Sequence, residues 1–579
     1  MKRAFQVLSP YMWRYRRGMA LGLGALILKD VFAAAQPLVI GAAIDSLTRG
    51  FAFEKVLQFA ALLVALSAIK GLFQYWMRVI IIGISRDVEF DLRNDLFGRL
   101  ITLSWDFYGK YRTGDIMARA TNDLNAVRMM LGPGVMYWTE TMLTLVLALG
   151  IMAWVDWPLA LVAVAPAPIV SFVVVVFGRM IHMRFERIQK MFSDISSRVQ
   201  ENLAGVRVIR AYVQEDAEIR RFEVLNREFV GENLKLARVQ GMFMPVLQAL
   251  VGLGFLAVLW AGGARLLSGG ISLGNFVMFN SYMGMLVWPM IALGWVVNLM
   301  ERGTASLARI DELMQQKPAI DEPASPRPLT RAQGEIEFRD VHVNFGTTAS
   351  LDGINLRIPA GTTAAIVGHT GSGKSTLVNL IPRMVDPTSG AVLVDGHDVR
   401  DYSPARLREQ IGFVPQETFL FSMTLGENIA LGVRDATDDQ IRRAAEVAGL
   451  ATDLESFPEG LKTMVGERGI TLSGGQKQRT AIARAVLRNP RILILDDALS
   501  SVDTMTEERI LTALQEVMKG RTTILISHRV STVRNADRIY VIEYGKVAEE
   551  GSHAELIRKG GYYADLYQKQ LLEEELEAI

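Results

Sequence analysis

Six apolar stretches in the first 300 residues constrain this chain more than any other feature. Each is long enough to cross a hydrocarbon layer of about 30 Å as a helix. We place the spans at residues 19–45, 56–83, 132–155, 158–180, 242–265 and 273–300. The mean hydropathy of the chain is +0.22, which is typical of a protein with membrane segments. The pattern predicts an all-α bundle of six membrane-spanning helices.

The loops between these spans alternate in length and charge. Connections near residues 46–53, 156–157 and 268–272 are short and carry almost no Lys or Arg. The loops at 84–130 and 181–240 are long, rich in Lys and Arg, and composed mostly of helix-forming residues. Because positively charged loops stay on the cytoplasmic side, we expect the N-terminus, both long loops and the second half of the chain in the cytoplasm.

The two ends of the membrane region have their own patterns. Residues 1–18 interleave cations with aromatic and apolar side chains, which predicts an amphipathic helix on the membrane surface; a flexible basic leader is the alternative. Four prolines within residues 315–334 predict an extended linker. The chain therefore divides into a transmembrane region at 19–314 and a second domain at 335–579.

The second domain alternates short β-rich runs with helical stretches. Alternation of this kind predicts an α/β domain with a largely parallel sheet. The clearest predicted strands are 335–338, 362–367, 391–394, 492–495 and 522–526.

A glycine-rich turn, Gly368–Ser375, fits the pattern G-x-x-x-x-G-K-[ST] between an apolar strand and a helical run. Glycines let backbone N–H groups turn inward around phosphate oxygens, and the helix start adds its positive dipole end. Lys374 brings a positive charge to the β- and γ-phosphates, and the Ser375 hydroxyl is suited to Mg²⁺. The motif predicts a site for ATP and Mg²⁺.

Polar side chains follow two other apolar strands. Asp496 and Asp497 come directly after residues 492–495, and His528 follows residues 522–526. Because the carboxyl ends of parallel strands lie beside the phosphate loop, Asp496 is placed to bind Mg²⁺ through water. Asp497 occupies the position from which a general base orients the attacking water. The position of His528 likewise favours a role in the site over a structural one.

A second small-residue turn, Leu472–Gln476, precedes a helix predicted at 477–486. Exposed N–H groups at a helix start form an anion site, and an ordinary helix N-cap in a surface loop is the alternative. One nucleotide does not need two such turns from the same domain. We therefore predict that this turn closes over a nucleotide held by a partner subunit.

These motifs make the second half similar to the nucleotide-binding domain of ABC transporters, and the whole chain resembles a half-transporter of the multidrug-exporter type. The resemblance implies a role for each matching residue. The implied nucleotide contacts are Phe345, Gly368, Thr370, Gly371, Ser372, Gly373, Lys374, Ser375, Thr376, Ser473, Gly474, Gly475, Gln476 and Asp503. The implied Mg²⁺ ligands are Ser375, Gln416 and Asp496, and the implied catalytic residues are Asp497, His528 and Gln416.

Some of these implied roles have alternatives. Phe345 would stack on adenine, but a strand-end core residue is the other interpretation, since aromatic residues favour strands.

Residues that break helices, in the long loops of the membrane region, predict turns. We expect short crosswise helices near 109–117 and 212–220 that touch the ATP-binding domain. Lys29 and Asp30 lie inside the first span, where they either line a translocation path or pair with other helices.

The chain departs from the family pattern at one position. The residue after the Mg²⁺-binding aspartate is usually Glu, whereas here it is Asp497. The side chain is shorter by one methylene, and a lost base costs about 10²–10⁴-fold in rate. With an intact second turn, this resembles one subunit of a heterodimeric exporter whose own ATP site has low activity. A homodimer in which Asp497 still serves as base is the alternative.

The resemblance implies ATP-driven export of hydrophobic or amphipathic substrates, with drugs, lipids and peptides all open. The alternatives are a homodimeric lipid or peptide flippase and an ATP-gated channel. An importer usually carries its nucleotide domain on a separate chain, and six spans argue against a soluble ATPase.

Composition excludes further classes of site. A formal net charge of +1 gives no support for nucleic-acid binding, and the absence of cysteine excludes disulfides and thiolate metal sites. We expect a multi-pass protein of a bacterial inner membrane.

Overall fold

The computed structural model describes residues 2–346, 348–466, 472–502 and 504–577. The chain forms two compact units. The first comprises residues 1–102 with 111–316, and the second comprises residues 103–110 with 317–579.

The chain before the linker is helical. Its helices are α1 (Lys2–Arg14), α2 (Arg16–Arg49), α3 (Phe53–Thr102), α4 (Trp105–Lys110), α5 (Thr113–Ala118), α6 (Leu124–Met129), α7 (Val135–Val164), α8 (Ala167–Ala204), α9 (Val206–Ala211), α10 (Glu215–Leu267) and α11 (Leu273–Met314). Two π-helical stretches, Arg119–Asp123 and Met130–Gly134, make α5, α6 and α7 continuous. Within the described residues, six helices are long and apolar enough to cross a membrane, which agrees with the six predicted spans.

The long helices continue well past the apolar spans, as the charged loops predicted. Helix α3 has 50 residues and α10 has 53. The predicted crosswise helix at 212–220 is wrong: the short helix is α9, and Val213, with φ of 53°, lies in the turn before α10. Three acidic residues in the first turn of α10 favour a helix start there, because they complement the helix dipole. The range 109–117 spans the break between α4 and α5.

The N-terminal helix is shorter than predicted and is bonded to α3. Helix α1 ends at Arg14, and Tyr15 has a non-helical backbone before α2 begins. The Tyr11 hydroxyl donates to Asp95 at 2.6 Å, and both Arg14 and the Tyr15 hydroxyl donate to Asp91 at 3.1 and 3.0 Å. These bonds fix the direction in which the chain enters α2.

Polar contacts near the middle and at the far end of α2 join it to other helices of the first unit. The Lys29 ammonium pairs with Asp30 of the same helix at 2.8 Å and with Glu140 of α7 at 2.5 Å, so of the two residues Lys29 is the one that pairs with another helix. At the far end of α2, the Asp45 carboxylate accepts from the Ser272 hydroxyl at 2.5 Å and from the backbone N–H of Gly274 at 2.7 Å. The second contact supplies partners for donors at the start of α11.

The described residues of the second unit form ten strands. They are β1 (Ile336–Phe345), β2 (Thr348–Ile358), β3 (Thr363–Val367), β4 (Ser389–Val394), β5 (His397–Asp398), β6 (Ile411–Val414), β7 (Ile492–Asp496), β8 (Thr522–Ile526), β9 (Arg538–Glu543) and β10 (Lys546–Gly551). Its helices after the linker are α12 (Lys374–Leu380), α13 (Pro404–Glu409), α14 (Leu425–Ala430), α15 (Asp438–Val447), α16 (Ala451–Ser456), α17 (Gly474–Leu487), α18 (Thr504–Met518), α19 (Val530–Val533), α20 (His553–Lys559) and α21 (Tyr562–Glu577).

The strands form two sheets: the largely parallel sheet that the sequence predicted and a second, antiparallel sheet that it did not. One sheet is antiparallel, in the order β2-β1-β4-β5. The other has the order β10-β9-β3-β8-β7-β6 and is parallel except for β10. Strands β7 and β8 are buried along their whole length, which explains their continuous apolar runs. The carboxyl ends of β3, β8, β7 and β6 therefore lie side by side.

Candidate functional site

A cavity of about 220 Å³ opens where these four strands end. Each strand leads into one of the predicted site segments: β3 into the phosphate loop, β6 into Gln416, β7 into the aspartate pair and β8 into His528. The cavity is lined by Ser350, Thr370, Gly371, Gly373, Lys374, Ser375, Thr376, Gln416, Asp496, Asp497, Ile526 and His528. Residues separated by more than 150 positions in the sequence thus share one wall because their strands are neighbours.

The phosphate loop is held in a conformation that needs glycine. Gly368 and Gly373 have φ of 150° and 101°. A Cβ on Gly368 would lie 2.1 Å from the carbonyl oxygen of Ile542, and one on Gly373 would lie 2.6 Å from that of Ser350. Either methyl group would push the loop away from the backbone beneath it. The spacing of the glycines is therefore set by close backbone contact as well as by φ.

Lys374 sits at the start of α12 with its ammonium inside the loop. It donates to the carbonyl oxygens of Gly368 and His369, each at 2.8 Å. Burial lowers the pKa of Lys374, while the charges of Asp496 and Asp497 act in the opposite direction. An ammonium has three donors, so one remains for an anion in the cavity.

An unpartnered hydroxyl in the same loop fits a bound phosphate. The Ser372 Oγ is buried and has no hydrogen-bond partner in the part of the chain that the structure describes. A buried hydroxyl without a partner costs about 1–3 kcal/mol, which an acceptor oxygen in the loop would offset. Close by, the Thr376 and Ser350 hydroxyls bond to each other at 3.0 Å. The loop therefore offers backbone, ammonium and hydroxyl donors to a triphosphate.

Asp496 and Ser375 supply oxygen ligands of the kind that Mg²⁺ prefers. The Ser375 hydroxyl donates to Asp496 at 3.2 Å, and Asp496 is only 3% exposed. Burial raises the pKa of Asp496, whereas the Ser375 hydrogen bond and the Lys374 charge lower it. Because its ionised form is costly when buried, this carboxylate gains when a cation neutralises it. The donor set therefore fits Mg²⁺, with Gln416 on the same cavity wall.

Asp497 lines the cavity with a constrained backbone. Its φ is 49°, in the left-handed region, and its N–H donates to the carbonyl oxygen of Ile526 at 2.9 Å. Its own carbonyl oxygen accepts from the Ser500 hydroxyl at 3.0 Å. Among the described residues, no side chain or N–H group forms a hydrogen bond with the Asp497 carboxylate. The carboxylate is free to contact water in the cavity, but its backbone has little room to move.

The second small-residue turn does not line the cavity of its own unit. Ser473 caps α17: its hydroxyl accepts from the Gln476 N–H at 3.2 Å, and its own N–H donates to the Gln476 side chain at 2.9 Å. The Gln476 side chain also donates to Asp453 at 2.8 Å. Ser473 and Gly474 are exposed, and Gly475 is half-buried. This turn is a formed helix start whose small residues face solvent.

One other predicted residue lies elsewhere. Phe345 ends β1, is 44% exposed and does not line the cavity. Asp503 lies outside the described residues. The sequence analysis missed Ser350, which reaches the site from β2 and had no motif to mark it. It also missed Gln478, whose side chain bonds to the Ser500 hydroxyl and the Ser501 N–H at 2.9 Å each and thereby joins α17 to the loop after Asp497.

Comparison with known proteins agrees with this geometry. The chain matches the family "ABC transporter transmembrane region" over residues 19–290 and the family "ABC transporter" over residues 351–500. It is 38% identical to the probable multidrug resistance ABC transporter ATP-binding/permease protein YheI of Bacillus subtilis, over 98% of both chains. It is 35% identical to the ATP-dependent lipid A-core flippase of Syntrophus aciditrophicus, over 99% of this chain and 95% of the relative.

A solved structure shows the same architecture. A bacterial Atm1-family ABC exporter with ATP bound aligns with a TM-score of 0.78 at 28% identity, over 96% of this chain and 98% of that one. The matching families cover both the helical unit and the unit that carries the phosphate loop. The chain therefore belongs to the ABC transporters that fuse a membrane-spanning bundle to an ATP-binding domain, and it is a multi-pass membrane protein that couples ATP hydrolysis to transport.

Proposed function

We propose that this chain is one half of a dimeric exporter that moves hydrophobic or amphipathic molecules out of the cytoplasm of a bacterium. The observation that carries the proposal is the separation of its two anion-binding turns. The phosphate loop lines a cavity with Lys374 and Asp496, whereas the exposed turn at Ser473 lies outside it. A second chain is needed to bring such a turn to this cavity.

Different residues of the cavity would bind different parts of ATP–Mg²⁺. Lys374 and the N–H groups of Gly371, Gly373 and neighbouring loop residues would hold the phosphates. Ser375, Asp496 and Gln416 would hold Mg²⁺, which neutralises charge on the transferred phosphoryl group. His528 would contact the γ-phosphate.

The remaining implied contacts include Thr376 on the cavity wall, residues outside the cavity, and Asp503 outside the described residues. Phe345 would stack on the adenine of the nucleotide, and Thr376 would close the phosphate loop. Ser473–Gln476 and Asp503 would act across the dimer. Closure around ATP adds contacts that the separated state lacks, and so shifts the population toward the closed dimer.

Asp497 favours a heterodimer. Its backbone is bonded to Ile526 and Ser500, so it cannot advance to make up for the missing methylene. The site on this chain would then hydrolyse slowly, and the intact turn at Ser473 would complete an active site on a second half-transporter that carries Glu. A homodimer with Asp497 as base is the second candidate, favoured by its direct place on the cavity wall.

The relatives' names frame the substrate class. One relative is described as a multidrug resistance transporter and another as a lipid A-core flippase, so drug-like amphiphiles and lipids are the classes we propose, with peptides as a further class. An ATP-gated channel would need a continuous polar lining, whereas the buried charges of the bundle, such as Lys29 and Asp30, are paired. We place the protein in the bacterial inner membrane, with the ATP-binding domain in the cytoplasm.

The test is ATP hydrolysis by the chain purified alone in lipid nanodiscs. The heterodimer proposal predicts slow turnover that Asp497→Asn changes little, and faster turnover when a partner half-transporter with Glu is added. Lys374→Ala is the control, because it removes the ammonium from the loop. Robust turnover by the chain alone that Asp497→Asn abolishes would establish the homodimer instead.

A further inference from the structure

The last helix, α21, packs against the strand that leads into the phosphate loop and against α19. Tyr563 is fully buried in a cluster that contains Val367, the residue before the phosphate loop, and Val530, which follows the His528 loop. Its hydroxyl bonds to His553 Nδ1 at 2.8 Å. Helix α21 is therefore anchored to the ends of both β3 and the loop after β8.

One side chain of α21 bonds to the backbone of His528 and to that of Val530, two residues later. Gln570 Nε2 donates to the carbonyl oxygen of His528 at 2.5 Å, and Gln570 Oε1 accepts from the N–H of Val530 at 2.7 Å. An amide is suited to this because it offers a donor and an acceptor on the same plane. The first bond is to the three-residue loop that separates β8 from α19, and the second is to the first residue of α19.

The other side of this loop is also fixed. The Ser527 hydroxyl accepts from the Arg529 N–H at 3.0 Å and donates to the Thr532 hydroxyl at 3.3 Å. Thr532 in turn donates to the buried Glu507 carboxylate at 2.5 Å, and Arg529 pairs with the same carboxylate. His528 itself is exposed and lines the cavity. The loop around His528 is therefore held by hydrogen bonds from two directions, while the His528 imidazole faces the cavity.

The first residue of α21 contacts the phosphate loop. The Tyr562 ring meets the ring of His369 edge to face, with centroids 4.6 Å apart. His369 belongs to the phosphate loop, and its carbonyl oxygen accepts from Lys374. One helix thus contacts the loop that holds Lys374 at its start and the loop that holds His528 two turns later.

We propose that Gln570 is a positioning residue for ATP hydrolysis, which acts by fixing His528 at the distance and angle that the γ-phosphate requires. This proposal rests on the role proposed for His528. Without Gln570, the carbonyl of His528 and the N–H of Val530 lose their shared partner, and the loop relaxes into water. Misplacement of a reacting group by about 1 Å costs roughly 10²-fold in rate, so we expect a large effect on turnover. ATP affinity depends mainly on the phosphate loop and should change little.

The test uses the full-length chain in nanodiscs and measures three quantities: the single-turnover rate of ATP–Mg²⁺ hydrolysis, the Kd for ATP–Mg²⁺, and the thermal midpoint. Gln570→Ala is compared with Gln568→Ala, a matched control on an exposed position of the same helix. Gln570→Glu keeps the acceptor for Val530 and loses the donor to His528. His528→Ala reports the role of the imidazole itself.

The expected result is a turnover rate about 10- to 100-fold lower in Gln570→Ala and Gln570→Glu, with Kd within twofold and no change in Gln568→Ala. A purely structural role would lower the thermal midpoint while the rate per folded molecule stays unchanged, and that outcome overturns the proposal. If His528→Ala also leaves the rate unchanged, the proposed role of His528 fails. If His528→Ala slows turnover and Gln570→Ala does not, only the positioning role fails.

Discussion

The change Asp497→Glu tests whether one methylene limits this ATP site. The Asp497 carboxylate has no hydrogen-bond partner among the described residues, and its backbone is bonded through Ile526 and Ser500. The loop therefore cannot carry the carboxylate toward an attacking water. Glutamate adds about 1 Å of reach from an unchanged backbone. The substitution alters reach and leaves the charge of the site the same.

The expected gain follows from the geometry. A general base works within a heavy-atom distance of about 2.6–3.2 Å, a window of about 0.6 Å. A shortfall of about 1 Å lies outside that window and costs roughly 10²-fold, or about 2.7 kcal/mol of barrier. We therefore expect Asp497→Glu to raise kcat for ATP by about 10²-fold, with little change in KM, because the base does not hold the ground-state nucleotide.

The assay is steady-state release of phosphate by the purified chain in nanodiscs. Lys374→Ala in the Asp497→Glu background must abolish the gain, which shows that the new activity comes from this site. A kcat within twofold of the parent, together with loss of activity in Asp497→Asn, would refute the reasoning. In that case the aspartate already reaches the water, and the argument for a weak site would be wrong.

Three further predictions concern other parts of the chain. Gly368→Ala places a methyl group 2.1 Å from a backbone carbonyl and should abolish ATP binding measured by calorimetry. Gly371→Ala meets nothing within 4 Å of its Cβ but has a φ of 82° that strains alanine, so it should weaken binding less. Burial raises the pKa of Asp496, so ionisation of this carboxyl group opposes folding, and the stability of the protein falls as pH rises through that pKa. Asp496→Asn should therefore raise the thermal midpoint of the nucleotide-free protein at pH 7. The same substitution should abolish Mg²⁺-dependent hydrolysis. Lys29→Met leaves Asp30 buried without its cation and should cost about 3–5 kcal/mol in unfolding assays, most of which Lys29→Met/Asp30→Asn recovers.

The parts of the fold that the sequence predicted well are those with continuous patterns. The six spans were found because lipid-facing helices need long apolar runs. Strands such as Ile492–Asp496 and Thr522–Ile526 were found because burial on both faces makes them uniformly apolar or small. The antiparallel sheet was missed because β1 has register shifts between Phe338 and Val343, and these shifts break the period-two alternation of a strand.

The site residues also include some that the sequence could predict and some that it could not. Gly368–Ser375 and Asp496 were predictable because a short motif next to a buried strand fixes their place. Ser350 was not, because it reaches Thr376 only through the packing of β2 beside the loop. Gln570 was not, because its two partners lie about 40 positions upstream and are backbone atoms, which carry no sequence signal. Residues whose partners are backbone atoms cannot be identified from a sequence motif.

The most direct test of the account is calorimetric titration of the full-length chain with ATP–Mg²⁺, in the parent and in Lys374→Ala. The account predicts saturable binding in the parent. In the variant it predicts affinity lower by about 10- to 100-fold, since a hydrogen bond to a charged group contributes roughly 1.5–3 kcal/mol. Equal affinity in both proteins, or no binding in the parent, would contradict the claim that nucleotide held at this phosphate loop powers transport.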